Sequence, residues 1–310
     1  MRKNKITIEL IGGIGNQLFC YYAGLYISKM TDSNIKFIHN SLPKNHPQIN
    51  SKIGDLNFPI KITSTRSKYL IVRLLVRICD SIIYRLPMLR KIRNSNFYFE
   101  QRNGIEKEAK EVLYKLSKKK FYKHLILKGH YQDIAYYLEV SKDLKNEIVM
   151  PKFPSKKFHE IINSLEFANL TIVHIRRGDF KNFANEIGVL STEYYRTSIK
   201  KVIKLDNEIK IGVISDDIEE AKKIFPKEFL PITSFYDEKL LPDNPSELLI
   251  AMSYARNLVI SNSTFSLWSA ILSKNSKIII YPKPFNLDTK LKVQGFPDYW
   301  IGVPSTFEIF

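Results

Sequence analysis

Ile6-Thr7-Ile8-Glu9-Leu10-Ile11-Gly12-Gly13-Ile14-Gly15-Asn16-Gln17 is the stretch that decides the fold class. Its first six residues are rich in β-branched and large apolar side chains and read as a short strand, Ile6 to Ile11. The turn Gly12-Gly13-Ile14-Gly15 follows, and the run from Gln17 to Met30 reads as a helix. Strand, glycine turn and helix open an α/β domain. Outward from there, Ile35 to His39 reads as a second strand and Asn40 to Pro59 as loop. Tyr69 to Arg93 reads as a basic amphipathic helix, with Leu70, Leu74, Ile78 and Ile82 on its apolar side. Leu125 to Gly129 is a further strand, leading through Tyr131-Gln132-Asp133 into a helix. Pro151 to Pro154 reads as an interdomain linker, dividing the chain into residues 1–152 and 153–310. A fresh α/β pattern follows. Its strands are expected at Leu170 to Ile175, Ile209 to Ile214, Leu258 to Ser261 and Lys277 to Tyr281. Its helices are expected at Glu193 to Leu205, Ile218 to Ile224, Ser246 to Arg256 and Ser266 to Ser273. Such alternation implies parallel sheets.

The chain has 310 residues, enough for a large core, and carries a net charge of +17. Nucleic acid, an anionic membrane surface and a phosphate-bearing substrate all fit that charge. The lysines are scattered, with one compact run at Lys118-Lys119-Lys120, and no nucleic-acid-binding motif accompanies them. Nucleic acid is therefore not the expected partner; the lysine content also fits a genome bias. The helix Tyr69 to Arg93 fits either a packed surface or an anionic membrane contact. Arg73, Arg77, Asp80 and Arg85 make it too costly for a bilayer centre. Cys20 and Cys79 lie in apolar stretches and read as reduced core thiols, which points to a reducing compartment. Basic residues precede the first strand, but Glu9, Asn16 and Gln17 interrupt the apolar stretch, so a signal peptide is not expected.

Three polar clusters follow the carboxyl ends of expected strands, where ligands bind in open α/β sheets. In the first, Gly12 to Gln17, Gly13 and Gly15 let backbone approach a ligand ahead of a helix start that favours anions. It lacks the third glycine of a dinucleotide fingerprint, and a plain tight turn is the simpler alternative. The second is His174-Ile175-Arg176-Arg177-Gly178-Asp179. A guanidinium grips two phosphate oxygens and stays charged, and adjacent arginines at a strand end point different ways. One is expected to meet a ligand while the other pairs with Asp179. The third is Ser261-Asn262-Ser263-Thr264-Phe265-Ser266, where hydroxyls and free amides at a helix start suit phosphate or sugar oxygens, or simply cap the helix. Asp216, in Ser215-Asp216-Asp217, either accepts hydrogen bonds from a base edge or ribose or caps a helix, and Glu247 is open in the same way. No Cys/His metal spacing is present, and Asp217-Ile218-Glu219 is weak evidence for an ion.

At these residues the sequence resembles glycosyltransferase family 11, the α-1,2-fucosyltransferases of bacterial type. The resemblance rests on G-G-I-G-N-Q-L-F at Gly12 to Phe19, H-I-R-R-G-D-F at His174 to Phe180 and S-N-S-T-F-S-L-W at Ser261 to Trp268. Weaker echoes are G-H-Y-Q at Gly129 to Gln132, G-V-L-S at Gly188 to Ser191 with Glu193-Tyr194-Tyr195, and S-D-D at Ser215 to Asp217. The resemblance implies a GT-B type fold, two Rossmann-like domains facing a cleft, with GDP-fucose on the C-terminal domain and the acceptor shaped by the N-terminal one. It implies inversion at the anomeric carbon with no required metal or other cofactor. It also implies a glycan acceptor, free or lipid-linked, in O-antigen-like cell-surface polysaccharide synthesis on the cytoplasmic side of the membrane. Residue by residue, Arg176 matches the pyrophosphate-holding arginine and His174 a donor-site histidine. Asn16 matches the asparagine facing the reaction centre, Ser263 and Thr264 match donor contacts, and Glu247 more loosely matches a base-reading acid. Glu186-Ile187 replaces a His-Gly pair common in the family, and Leu267 and Ser269 replace common aromatics, which leaves the acceptor and the linkage open.

The chemistry these residues support is displacement of GDP by an acceptor hydroxyl. Negative charge grows on the leaving group, and Arg176 is the residue expected to absorb it. Asp179 and Glu186 are the candidate general bases, and Asp179 is equally an anchor for Arg177. Transfer of another GDP-deoxyhexose such as colitose, or noncatalytic binding of carbohydrate or nucleotide, are the alternatives.

Overall fold

Parallel strands buried on both faces belong to a sheet covered by other elements, and both halves of the chain build such a parallel sheet. The computed structural model describes residues 5–39, 53–58, 62–63, 99–100, 125–142, 149–178, 184–288, 291 and 293–308. The expected helix Tyr69 to Arg93, Cys79 and Asp179 lie outside the described residues. The chain forms two units, one of Met1–Ile49 with Phe58–Asn146, the other of Asn50–Asn57 with Glu147–Phe310.

In the first unit β1 (Lys5–Leu10) is central, between β2 (Asn34–His39) and β5 (Leu125–Lys128). Short strands β3 (Ile62–Thr63) and β4 (Phe99–Glu100) complete the order β3-β2-β1-β5-β4, with every pair parallel. Thr7 and Glu9 are as buried as Ile6, Ile8 and Leu10, as a central strand demands. Helix α1 (Ile14–Thr31) packs on this sheet. Its Gly24 lies so close that an added Cβ would sit 2.6 Å from the Phe37 ring. Helix α2 (Ile134–Ser141) packs against α1 and is capped by Asp133, whose carboxylate accepts from the Ala135 N–H.

The second unit is a six-stranded parallel sheet. Its strands are β6 (Thr171–Ile175), β7 (Ile211–Ser215), β8 (Thr233–Tyr236), β9 (Asn257–Val259), β10 (Ile278–Lys283) and β11 (Ile301–Pro304). They are ordered β11-β10-β9-β6-β7-β8. The intervening helices are α3 (Lys156–Asn163), α4 (Thr192–Leu205), α5 (Ile218–Ile224), α6 (Pro245–Met252) and α7 (Thr264–Leu272). Every residue of β6 is buried, and Val173 and Ile175 meet Tyr195, Ile199 and Val213 in the core. The strands and helices expected from this half all form, within a few residues at their ends. The edge strands β8 and β11 and helix α3 add to them. β11 contains Pro304, which lacks an N–H for the ladder and suits a sheet edge.

Pro151 to Pro154 is more than a tether. Pro151 pairs in antiparallel fashion with Leu56, the Asn57 N–H donates to the Met150 carbonyl and the Lys152 N–H to that of Asp55. Residues 50–57 therefore belong with the second unit, so its residues are not the single continuous segment 153–310.

Candidate active site

The strand orders place the polar clusters. In the second unit the chain moves outward from β6 to β7 and β8, then returns to β9 on the other side of β6. The loops leaving β6 and β9 thus diverge at a topological switch point, where an open α/β sheet offers its crevice. The second and third clusters are those two loops. His174 Nδ1 lies 2.9 Å from Ser261 Oγ, and its ring packs on Phe265 with centroids 5.7 Å apart.

His174 is buried, and burial followed by the Arg176 charge lowers its pKa from 6.5 to about 3. It is therefore a neutral hydrogen-bonding group at physiological pH. An unfolded chain takes up the His174 proton below about pH 6.5 whereas the native one does not. This contribution to stability is intact above the unfolded value and is lost as pH falls towards the folded one. The thermal midpoint of the wild type is expected to drop more between pH 7 and pH 5 than that of His174→Asn. Equal drops would remove His174 from the acid response.

Arg176 leaves the end of β6 and its Nε lies 3.2 Å from Asp216 Oδ2. The same carboxylate accepts from the Arg177 N–H at 2.8 Å and the Gly178 N–H at 2.9 Å. Asp216 thus holds the loop and one edge of the guanidinium together. Gly178 makes this approach possible: an added Cβ would stand 2.5 Å from Asp216 Oδ2. The neighbours of Asp216 have local duties. The Ser215 hydroxyl accepts from the Asp217 N–H, and the Asp217 carboxylate caps α5 through the Glu220 N–H. Glu219 pairs with Lys222 at 2.7 Å. Among the described residues no three His, Cys, Asp or Glu side chains come together as a metal-binding group.

Arg177 turns the other way, into the protein. Its two terminal nitrogens donate to the two Glu308 carboxylate oxygens, each at 2.8 Å. Glu308, from the C-terminal tail, is thus the described partner of Arg177, while Asp179, the partner expected from the sequence, lies outside the described residues. No motif marks Glu308, because it lies 131 residues away in sequence.

The third cluster divides its work. Ser263 caps α7 by accepting from the Phe265 N–H at 3.3 Å, and Thr264 opens the helix with its first-turn amides. Asn262 donates to the Ile187 and Gly188 carbonyls at 3.0 and 2.9 Å, fixing the segment that carries exposed Glu186. Sequence reading missed this tie, since it joins residues 74 and 75 positions apart.

Glu247 is buried, and both of its oxygens are used. One accepts from the Ser155 N–H at 2.9 Å and the other from the Ser155 hydroxyl at 2.5 Å, joining α6 to the start of α3. The structure gives this carboxylate a packing partner rather than an open face for a base. Glu247→Ala is expected to cost about 1–3 kcal/mol in denaturant unfolding, with the preference among nucleotides unchanged. Loss of that preference at wild-type stability would assign Glu247 to the ligand.

In the first unit the switch point lies between β1 and β5. There the glycine turn and Gly129 to Asp133 converge: Gln132 Nε2 donates to Asn16 Oδ1 at 2.9 Å. Gly12 has φ +68°, and a Cβ on it would stand 2.7 Å from Asn16 Nδ2, so glycine is required on both counts. Gly13 is the N-cap of α1 and supplies no side-chain cap, and Gly15 is buried in the first turn. The Gln17 side chain donates to the Gly12 carbonyl at 2.8 Å, closing the turn. Cys20 donates to the Gly129 carbonyl, and burial pushes its thiol up to about 12, which makes it a packing residue rather than a nucleophile.

Residues 5–303 match the model of the family described as Glycosyl transferase family 11. An alpha-1,2-colitosyltransferase of Escherichia coli is 26% identical over 304 residues, covering 96% of this chain and 98% of that one. The O-antigen biosynthesis glycosyltransferase WbnK of Escherichia coli is 26% identical over 322 residues, covering 95% and 99%. The crystal structure of the fucosyltransferase NodZ from Bradyrhizobium aligns with 88% of this chain and 93% of its own, at 12% identity and a TM-score of 0.51. NodZ alpha-1,6-fucosyltransferase co-crystallized with GDP aligns over the same shares at 11% identity and a TM-score of 0.51. That likeness is one of fold, α/β of the GT-B type with two Rossmann-like units.

Proposed function

The chain belongs to glycosyltransferase family 11, and from that premise we propose that it transfers L-fucose from GDP-fucose to a hydroxyl of a glycan acceptor, the 2-OH of galactose first among them. The observation that carries this reading is Arg176 at the switch point of the second unit, oriented by Asp216 at 3.2 Å. A cation set there meets the charge that develops on the leaving GDP. His174, neutral and tied to Ser261, and the first-turn amides of α7 supply hydrogen bonds to the same ligand. The acceptor hydroxyl attacks the anomeric carbon opposite GDP and inverts it. Its proton goes to a carboxylate, for which Glu186, exposed in the structure, and Asp179 are the two candidates. No metal is required in this scheme, since Arg176 performs the charge neutralisation that an ion would otherwise supply.

A second reading is transfer of colitose from its GDP form, favoured by the similarity to an alpha-1,2-colitosyltransferase. A lipid-linked acceptor and a cytoplasmic protein held at the inner membrane face belong to the same proposal. Among the described residues no helix is long and apolar enough to cross a membrane. The test is titration calorimetry with GDP and UDP, then transfer assays with GDP-fucose and GDP-colitose on a panel of galactosyl acceptors, with and without EDTA. GDP is expected to bind much better than UDP, and transfer to survive chelation. Equal affinity for the two nucleotides overturns the donor assignment. Activity lost in EDTA and restored by Mg²⁺ overturns metal independence.

A further inference from the structure

We propose that Glu308, in the C-terminal tail, is a positioning residue for Arg176, acting through Arg177; this rests on the donor-site reading above. Successive side chains leave a strand end on opposite sides. The Arg176 side chain goes to Asp216, and the Arg177 side chain goes inward to the bidentate Glu308 pair. The peptide carrying Arg176 is therefore held from both sides. Asp216 grips the Arg177 and Gly178 amides, and Glu308 grips the Arg177 guanidinium, one nitrogen of which also reaches the Leu190 carbonyl at 3.4 Å. Buried Tyr195 sits among these groups. Its hydroxyl meets the Arg176 backbone and feels the charges of Arg177, Asp216 and Glu308.

The tail does not need this ion pair to stay in place. Ser191 N–H donates to the Thr306 carbonyl and Glu308 N–H to that of Val189, both at 2.8 Å. Leu190 pairs with Phe307, and the Ser305 N–H donates to the Lys283 carbonyl at 3.1 Å. Backbone pairing seats the tail, so its one carboxylate on Arg177 adds rigidity to the loop rather than attachment of the tail. A fork-on-fork pair restrains distance and plane together, which a single amide contact does not. The consequence for the reaction is geometric, because a displacement of about 1 Å in a positioning group costs up to about 100-fold in rate.

The experiment compares the full-length wild type with Glu308→Gln and with the double variant Arg177→Met/Glu308→Met. The double variant removes both charges, so no unpaired guanidinium is left buried. Four quantities are read: thermal midpoint, GDP affinity by calorimetry, turnover at saturating donor, and hydrogen exchange of the Arg177 and Gly178 amides. Folded variants are expected to lose about 10- to 100-fold in turnover while GDP affinity changes about 3-fold or less. Exchange at the two amides is expected to quicken by about 10-fold or more. A purely structural pair would lower the thermal midpoint with turnover per folded molecule unchanged. Turnover within about 2-fold of wild type in either folded variant overturns the positioning role. Exchange requires no substrate, so unchanged protection overturns the brace whatever the donor proves to be. Altered protection with no transfer by the wild type would instead sink the donor reading.

Discussion

Arg176→Ala is expected to lower turnover by about 100- to 1000-fold, the usual cost of deleting one donor that stabilises developing negative charge. The loss should be larger in turnover than in GDP affinity, because charge on the leaving pyrophosphate is greatest in the transition state. Arg176→Lys should rescue poorly. Lysine keeps the charge, but its ammonium cannot lie along the Asp216 carboxylate at Nε and present a planar fork beyond it. Arg177→Ala should behave differently. It empties a buried site and leaves Glu308 unpaired, so the thermal midpoint falls together with activity. The variants are compared at saturating donor after circular dichroism has shown them folded. Near-wild-type turnover in folded Arg176→Ala would remove this residue from the mechanism.

The second large effect is expected from the smallest change, Gly178→Ala. Gly178 is exposed, so the substitution crowds no core side chain, and a fall in the thermal midpoint would come from the Asp216 contacts alone. The added methyl, however, would stand 2.5 Å from Asp216 Oδ2 and 3.3 Å from its Cγ. The carboxylate must shift, which is expected to weaken the Gly178 N–H bond and the hold on Arg176 Nε. A loss of about 10- to 100-fold in turnover is expected from the misplaced guanidinium. A double-mutant cycle with Asp216→Ala tests the route. If the methyl acts by displacing Asp216, adding Gly178→Ala to Asp216→Ala should cost nothing further. Equal costs in both backgrounds would show that the glycine acts by another path.

Much of the architecture was legible because buried parallel strands and their helices leave strong local signals. β1 and β2 alternate apolar with polar residues, β5, β6, β7, β9 and β10 are short and mostly apolar, and helices such as Thr192–Leu205 repeat their apolar residues at helical spacing. The missed elements had weak ones. β8 is a four-residue edge strand with an exposed serine, and β11 carries a glycine and a proline. The site was legible as three motifs placed after strand ends, and the structure brings two of them together through His174 and Ser261. Asp216 was visible as an acid at a strand end, but whether it faces a ligand or the loop beside it depends on the register of β6 against β7, which sets Ile175 opposite Ser215.

The sequence by itself determined that the chain is α/β, where its glycine turns fall and which arginine pair ends β6, because backbone conformation and burial depend on residues close in the chain. Only the tertiary structure decided the partners: Glu308 for Arg177, Ser155 for Glu247, Gln132 for Asn16 and Asn262 for the Ile187 and Gly188 carbonyls. These contacts join residues 74 to 131 positions apart. A hydrogen bond requires only proximity and complementary atoms, and strand order, not chain order, sets which side chains become neighbours.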